Sequence, residues 1–373
     1  MKILSIGPAF PLRGGIAKFN ESLSIQLGKE GHEVVVFTYR YQYPSFLFPG
    51  KSQFIQNGTP PDLDIRSDLH SINLFTWRGT CKRILDENPD LVIVHYWMPF
   101  FAPQLNYLLG RLKRKRKKVI LLAHNLMPHE RQPGTRYLTG KLLSRIDGLL
   151  CLSSSVQTDA LNIRDSLKTL VIPHPVYDVY GEREEREHAI KALGLQEDYR
   201  YLLFFGLIRA YKGLDLLLKA IPEMERKDIK ILVAGEFYES RENYRELIDD
   251  PSIAERLLIK DSFIPDDDVR HYFCAADLVV QPYRTATQSG VTQIAYHFGI
   301  PMIVTRVGGL PEIVVDGSTG YVTGKEPEEI AEAVNRFYRE DRLAAFKENV
   351  LLRSADFSWK AFCEKLTEFA RSL

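Results

Sequence analysis

The chain has 373 residues, carrying 49 basic against 48 acidic side chains, with 45% hydrophobic and 11% aromatic residues. Those proportions exclude disordered, collagenous and coiled-coil classes, and at about 150 residues per domain the length implies two or three domains with sizeable cores. The near-zero balance conceals two opposed halves, with 23 basic against 14 acidic residues through position 178 and 26 against 34 after it.

Cys81, Cys151, Cys274 and Cys363 are far apart with no C-x-x-C pair, which argues against a disulfide framework or a zinc site and for reduced thiols in a cytoplasmic protein. The N-terminal run MKILSIGPAFP is broken by Gly7-Pro8 and reads as a first buried strand, not a signal peptide. Leu91 to Gly110 holds no Asp, Glu, Lys or Arg, but Pro99 and Pro103 interrupt it, so a strand, a turn and a short helix are expected. Membrane contact would then be peripheral, at the inner face.

In chain order, Lys2–Ile6, Glu33–Thr38, Leu91–His95, Val119–Ala123, Gly148–Leu152 and Thr169–Pro173 are continuous apolar runs of the kind that form parallel strands covered on both faces. A helix is expected after Gly14-Gly15, where Ile16, Phe19, Leu23 and Leu27 share one face and Gly31 follows as a stop. Pro173–Pro175 breaks the pattern, and Gly181–Lys191 is expected to open the first helix of a second unit. The alternation then resumes with strands at Tyr201–Phe205, Ile229–Ala234, Leu257–Lys260, Asp277–Val280 and Met302–Thr305. Asp266-Asp267-Asp268 reads as a helix start. The tail Phe357–Leu373 repeats Trp359, Phe362, Cys363, Leu366 and Phe369 along one face and needs a surface to cover. The pattern predicts an α/β protein of two Rossmann-like parallel-sheet domains, residues 1–178 and 179–356, with residues 357–373 as a terminal helix.

Glycine turns feeding helix starts, together with Arg or Lys, are how such folds neutralise a diphosphate. Gly7 and Gly14-Gly15 form one such turn, although the spacing is not G-x-G-x-x-G and tight packing explains it equally well. Arg209 and Lys212 flank a second turn at the end of the strand leading to Gly206. Gln288-Ser289-Gly290-Val291 and Gly308-Gly309-Leu310-Pro311-Glu312 follow two further strands.

These segments resemble the retaining glycosyltransferases of family 4, also called group 1, which have a GT-B fold. The resemblance covers nearly the whole chain, through IGPAFPLRGGIAKFNESLSIQLGKEGHEVVVFT, FFGLIRAYKGLDLLLKA, ILVAGE, AADLVVQPY and GIPMIVTRVGGLPEIVVDGSTGYV, and through the terminal FSWKAF helix, which in the family crosses back onto the first domain. It implies a metal-independent hexosyltransferase whose second domain binds a UDP- or GDP-sugar as co-substrate, with no further cofactor. The acceptor, a glycan or lipid-linked glycan of the cell envelope, would bind the first domain, with the chemistry in the cleft between them. Arg209 and Lys212 match the diphosphate-binding pair, and Gly14 and Gly15 the loop facing donor phosphate and acceptor. His124, in LLAHNLMPHE, matches a histidine beside the reacting sugar, the alternative being an ordinary loop histidine. Gly206, Gly235, Ser289, Gly290, Val291 and Glu312 complete the implied donor site.

One departure stands out. Counting back from Gly299-Ile300-Pro301, the family's E-x7-E glutamates fall on Ala286 and Ile294. A catalytically silent GT-B protein that binds nucleotide or glycan as a partner subunit is therefore the competing reading. RLKRKRKK at Arg111–Lys118 is either a membrane-facing strip, with Arg114, Lys115 and Arg116 drawn to anionic lipid and Tyr96, Trp97 and Phe100 at the interface or acceptor, or a solvated helix end. Nucleic acid binding is not expected, because no recognition motif accompanies the charge.

Overall fold

The computed structural model describes residues 1–44, 52–55, 59–126, 134–177 and 179–373. The chain divides into two compact units, Met1–Pro173 with Trp359–Leu373, and His174–Ser358. The expected boundary at residue 178 lies outside the described residues.

Unit 1 carries seven strands: β1 (Lys2–Ile6), β2 (Glu33–Tyr41), β3 (Asp64–His70), β4 (Leu91–Tyr96), β5 (Lys118–Ala123), β6 (Gly148–Cys151) and β7 (Thr169–Val171). They form one parallel sheet in the order β3-β2-β1-β4-β5-β6-β7. Because side chains alternate across a strand, Leu4, Val92, Val94, Tyr96, Leu121 and Ala123 enter the core on one face. Ile3, Leu91, Ile93, Ile120 and Leu122 enter the other, beneath Phe19, Leu23 and Leu27 of the helix Gly15–Lys29. The same face receives Trp359, Phe362, Cys363 and Leu366 of the terminal helix Trp359–Ser372. Phe19 sits edge-on to Trp359 and Phe362, at 5.1 and 5.7 Å between ring centres.

Unit 2 repeats the plan with β8 (Arg200–Phe205), β9 (Ile229–Ala234), β10 (Leu257–Lys260), β11 (Leu278–Gln281), β12 (Met302–Thr305) and β13 (Gly320–Thr323). Its parallel sheet runs β10-β9-β8-β11-β12-β13. Tyr201, Leu203, Val279, Met302 and Val304 face one core and Leu202, Phe204, Val280 and Ile303 the other. In both sheets the strand order reverses beside the first strand of the unit, β1 or β8, and the loops leaving the carboxyl ends there are where such sheets hold ligands.

Two strands escaped the sequence pattern, and both are sheet edges. DIRSDLH of β3 buries only Leu69, and GYVT of β13 is four residues long. The helix expected from Gly181 starts later, at Arg186–Ala192. All four cysteines are buried and unpaired. Among the described residues no helix is long and apolar enough to cross a membrane, and no cluster of His, Cys, Asp or Glu has the arrangement of a metal site.

Candidate functional site

In unit 2 the chain leaves β8 through Gly206, with φ at 93°, and turns at Gly213, with φ at 67°. Both conformations are ones that side-chain-bearing residues rarely adopt. Space imposes the same choice nearby, since a Cβ on Gly235 would lie 2.0 Å from the Gly206 carbonyl oxygen and one on Gly213 would lie 2.1 Å from that of Pro282. These bare backbones let the loops after β8, β9 and β11 close on one another. Arg284 fastens the closure, donating to both carboxylate oxygens of Asp215 (2.7 and 2.6 Å) and to the Ala210 carbonyl (2.9 Å).

Lys212 is buried within this frame, 8% exposed. Its Nζ lies 5.6 Å from the centre of the Tyr283 ring and 3.1 Å from where a Cβ on Gly206 would stand, with Val291 Cγ2 at 3.8 Å from the same point. Gly206, Lys212, Tyr283 and Val291 therefore converge. Burial, reinforced by the Arg209 guanidinium, pushes the Lys212 ammonium down to about 7. Arg209 is exposed, its guanidinium 5.1 Å from the Tyr238 ring centre. Among the described residues, no carboxylate pairs with either cation. A buried ammonium without an anion is costly, and a bound anion would offset that cost.

Ser289 caps the helix Gly290–Phe298, accepting from the Val291 N–H at 3.3 Å, with the Tyr283 hydroxyl 3.4 Å from its Oγ. Its hydroxyl oxygen is thus engaged by its own helix. Gly290 abuts Tyr177, whose hydroxyl meets His174 Nε2 at 3.0 Å. Glu312 is exposed on the short helix Leu310–Ile313, which is tied to the β11 loop by the Gly309 N–H donating to the Thr287 carbonyl at 3.1 Å. Ile294, at one of the missing glutamate positions, is core, 5% exposed.

In unit 1, Gly14 and Gly15 are exposed at the start of the helix Gly15–Lys29, and Gly14 takes a φ of 119°. The loop before them is pinned by Thr38 Oγ1, which accepts from the Ala9 N–H at 2.8 Å, and by the buried Glu21, which accepts from the Phe10 N–H at 2.7 Å. His124 follows β5 and is buried, its N–H donating to the Tyr96 carbonyl at 2.8 Å. Its Nε2 lies 2.9 Å from His95 Nδ1. Sequence reasoning missed His95, although a lone polar residue within the run LVIVHY was the available signal. Residues 127–130, the end of LLAHNLMPHE, lie outside the described residues.

The surface expectation needs correction at one aromatic. Tyr96 is wholly buried, its hydroxyl near Thr139, because it shares the strand face of Val92 and Val94, so it cannot meet a membrane or an acceptor. Trp97 and Phe100 are partly buried around Tyr43: the Trp97 indole N–H donates to the Tyr43 hydroxyl at 2.8 Å, and Phe100 stacks on its ring. Arg114, Lys115 and Arg116 are exposed at the end of the helix Ala102–Arg114.

Two family models match the chain. That for Glycosyltransferase Family 4 matches residues 13–178 and that for Glycosyl transferases group 1 matches residues 199–340. The D-inositol 3-phosphate glycosyltransferase of Corynebacterium diphtheriae is 32% identical over 50% of this chain and 45% of its own length. An uncharacterized glycosyltransferase of Methanocaldococcus jannaschii is 24% identical over 90% of this chain and 88% of its own. The chain thus matches about half the length of the first relative and most of the second. Among solved structures, sucrose-phosphate synthase from Thermosynechococcus elongatus superposes with a TM-score of 0.80 at 17% identity, covering 100% of this chain and 99% of that one. Anabaena HepE, solved in complex with UDP, gives 0.78 at 17% identity, covering 100% of both. The fold is GT-B, and the chain belongs to the family 4, group 1 glycosyltransferases.

The depressed Lys212 sets a pH dependence. Its ordinary value is 10.5, so the ligand-free protein loses stability as pH falls from 10.5 through about 7, where the buried amine must take up its proton. A bound anion would raise the value again, so an anionic ligand held beside Lys212 should bind with proton uptake above pH 7. Calorimetry with whichever of UDP-glucose and GDP-mannose binds should show affinity level below about pH 7 and falling up to about tenfold per pH unit above it. Lys212→Met should flatten the profile, and a flat profile in the parent protein contradicts the assignment.

Proposed function

We propose that this protein is a retaining, metal-independent glycosyltransferase that moves a hexosyl group from a UDP- or GDP-sugar to a glycan or glycolipid acceptor in cell-envelope polysaccharide synthesis. The observation that carries this reading is the buried Lys212 beside Arg209, two cations with no carboxylate among the described residues, at the carboxyl end of β8. The solved complexes of HepE with UDP and with UDP-glucose support a nucleotide-sugar donor.

In the reaction, the bond between the anomeric carbon and the diphosphate oxygen breaks, and its electron pair leaves with the diphosphate. Arg209 and Lys212 stabilise that developing charge. The acceptor hydroxyl oxygen bonds to the anomeric carbon on the face the leaving group vacates, and its proton passes to the departing phosphate oxygen. His124 hydrogen-bonds the reacting sugar. The cytoplasm supplies such donors, and the buried reduced cysteines fit that compartment.

Contact with an anionic membrane surface is part of the proposal. Arg114, Lys115 and Arg116 are exposed, and each cation near such a surface contributes about 1 kcal/mol.

The silent-protein reading draws on Ala286 and the core position of Ile294, which remove two carboxylates from the donor side. Turnover separates the two readings. Lys212→Ala and Arg209→Ala should each lower donor hydrolysis or transfer by about 10²-fold with little change in Tm, whereas nucleotide-sugar binding without turnover under any acceptor tested supports the silent protein. For the membrane, flotation with vesicles containing phosphatidylglycerol should carry the protein and vesicles of phosphatidylcholine alone should not; equal behaviour contradicts the contact.

A further inference from the structure

Four polar side chains of unit 1 line up inside the face covered by the helices Gly15–Lys29 and Trp359–Ser372. Ser5 on β1 and His95 on β4 point to that face because they share the alternation of Ile3 and of Leu91 and Ile93. Asn20 enters from the helix Gly15–Lys29, and His124 follows β5. All four are buried.

The hydrogen bonds among them have one consistent direction. The Asn20 amide nitrogen donates to the Pro8 carbonyl at 2.9 Å, which turns Oδ1 toward Ser5. Ser5 gives its single hydroxyl proton to that oxygen. Its Oγ therefore meets His95 Nε2, 3.2 Å away, as an acceptor, so Nε2 carries the ring proton. Burial lowers the His95 imidazolium to about 3, so the ring is neutral and Nδ1 holds a lone pair. The 2.9 Å contact from His95 Nδ1 to His124 Nε2 then requires the proton to sit on His124.

We infer that Asn20, Ser5 and His95 form a buried positioning relay that holds His124 in its Nε2–H tautomer, leaving Nδ1 as the accepting nitrogen of its ring. Packing restrains the same imidazole. The Phe19 ring stands edge-on to His124 at 5.0 Å and 89°. Gly7 makes room for the relay, since a Cβ there would lie 2.8 Å from His95 Cβ. The catalytic consequence rests on the transferase reading: an Nδ1 acceptor takes a hydrogen bond from a hydroxyl of the reacting sugar, and the other tautomer would donate instead. The tautomer itself does not depend on that reading.

Long-range proton–nitrogen NMR on the full chain labelled with 15N-histidine tests the relay, with His124→Gln and His95→Gln assigning the signals. The parent protein at neutral pH should show His124 with a protonated Nε2 and a bare Nδ1. Ser5→Ala removes the acceptor for His95 Nε2–H, and Asn20→Ala frees the Ser5 proton to point at His95. Both variants should move His124 toward the Nδ1–H form, while Ser5→Thr, which keeps the hydroxyl, should not. In sugar transfer, Ser5→Ala should lower kcat about tenfold and leave the donor KM within about twofold. A parent His124 protonated at Nδ1, or an unchanged His124 signal in both alanine variants, overturns the relay. The predicted tautomer in a protein that transfers no sugar upholds the relay and overturns the transferase reading.

Discussion

Lys212 holds an amine where both its burial and the neighbouring Arg209 oppose its charge, down to about 7, with no carboxylate among the described residues to offset them. A folded chain keeps such a group only if the surrounding structure holds it there. The frame is visible: Gly206, Gly213 and Gly235 allow the loops to close, and Arg284 clamps Asp215 and the Ala210 carbonyl across them. The result is a pair of neighbouring basic side chains held in place by the loop frame. Preorganised charge of this kind stabilises a leaving diphosphate without reorganisation during the reaction.

Unit 1 uses the same parallel architecture for a different chemistry. Ser5, His95 and His124, at the carboxyl ends of β1, β4 and β5, are joined through hydrogen bonds. The terminal helix Trp359–Ser372 belongs to this arrangement, because Trp359 and Phe362 hold Phe19, and Phe19 abuts His124. A helix at the far end of the sequence thus bears on the geometry of a residue near position 124.

Interior strands were readable because burial on both faces demands continuous apolar runs, as in Ile229–Ala234 and Met302–Thr305. The edge β3 buries only Leu69, so DIRSDLH looks like a polar loop, while GYVT of β13, though buried, is too short to show a pattern. Arg209 and Lys212 stand out as cations at a strand end, but nothing in AYKG discloses that Lys212 is buried, because Tyr283, whose ring its ammonium faces, lies distant in sequence. Tyr96 was misplaced for a related reason. Treated as part of an aromatic patch it suggested a surface, whereas counting by twos from Val92 puts it in the core. The same counting places His95 on the opposite buried face, and its partners Ser5 and Asn20 become visible only once strand order sets β1 beside β4.

In the proposed reaction, Lys212 and Arg209 hold the diphosphate of the donor. A crystal structure of the protein with UDP-glucose, or with GDP-mannose if that is the tighter binder, tests it directly. A phosphate oxygen is expected at about 2.7 to 2.9 Å from Lys212 Nζ and another in hydrogen-bond reach of the Arg209 guanidinium. A diphosphate bound elsewhere, with Lys212 still against the Tyr283 ring and no anion in its pocket, would contradict it.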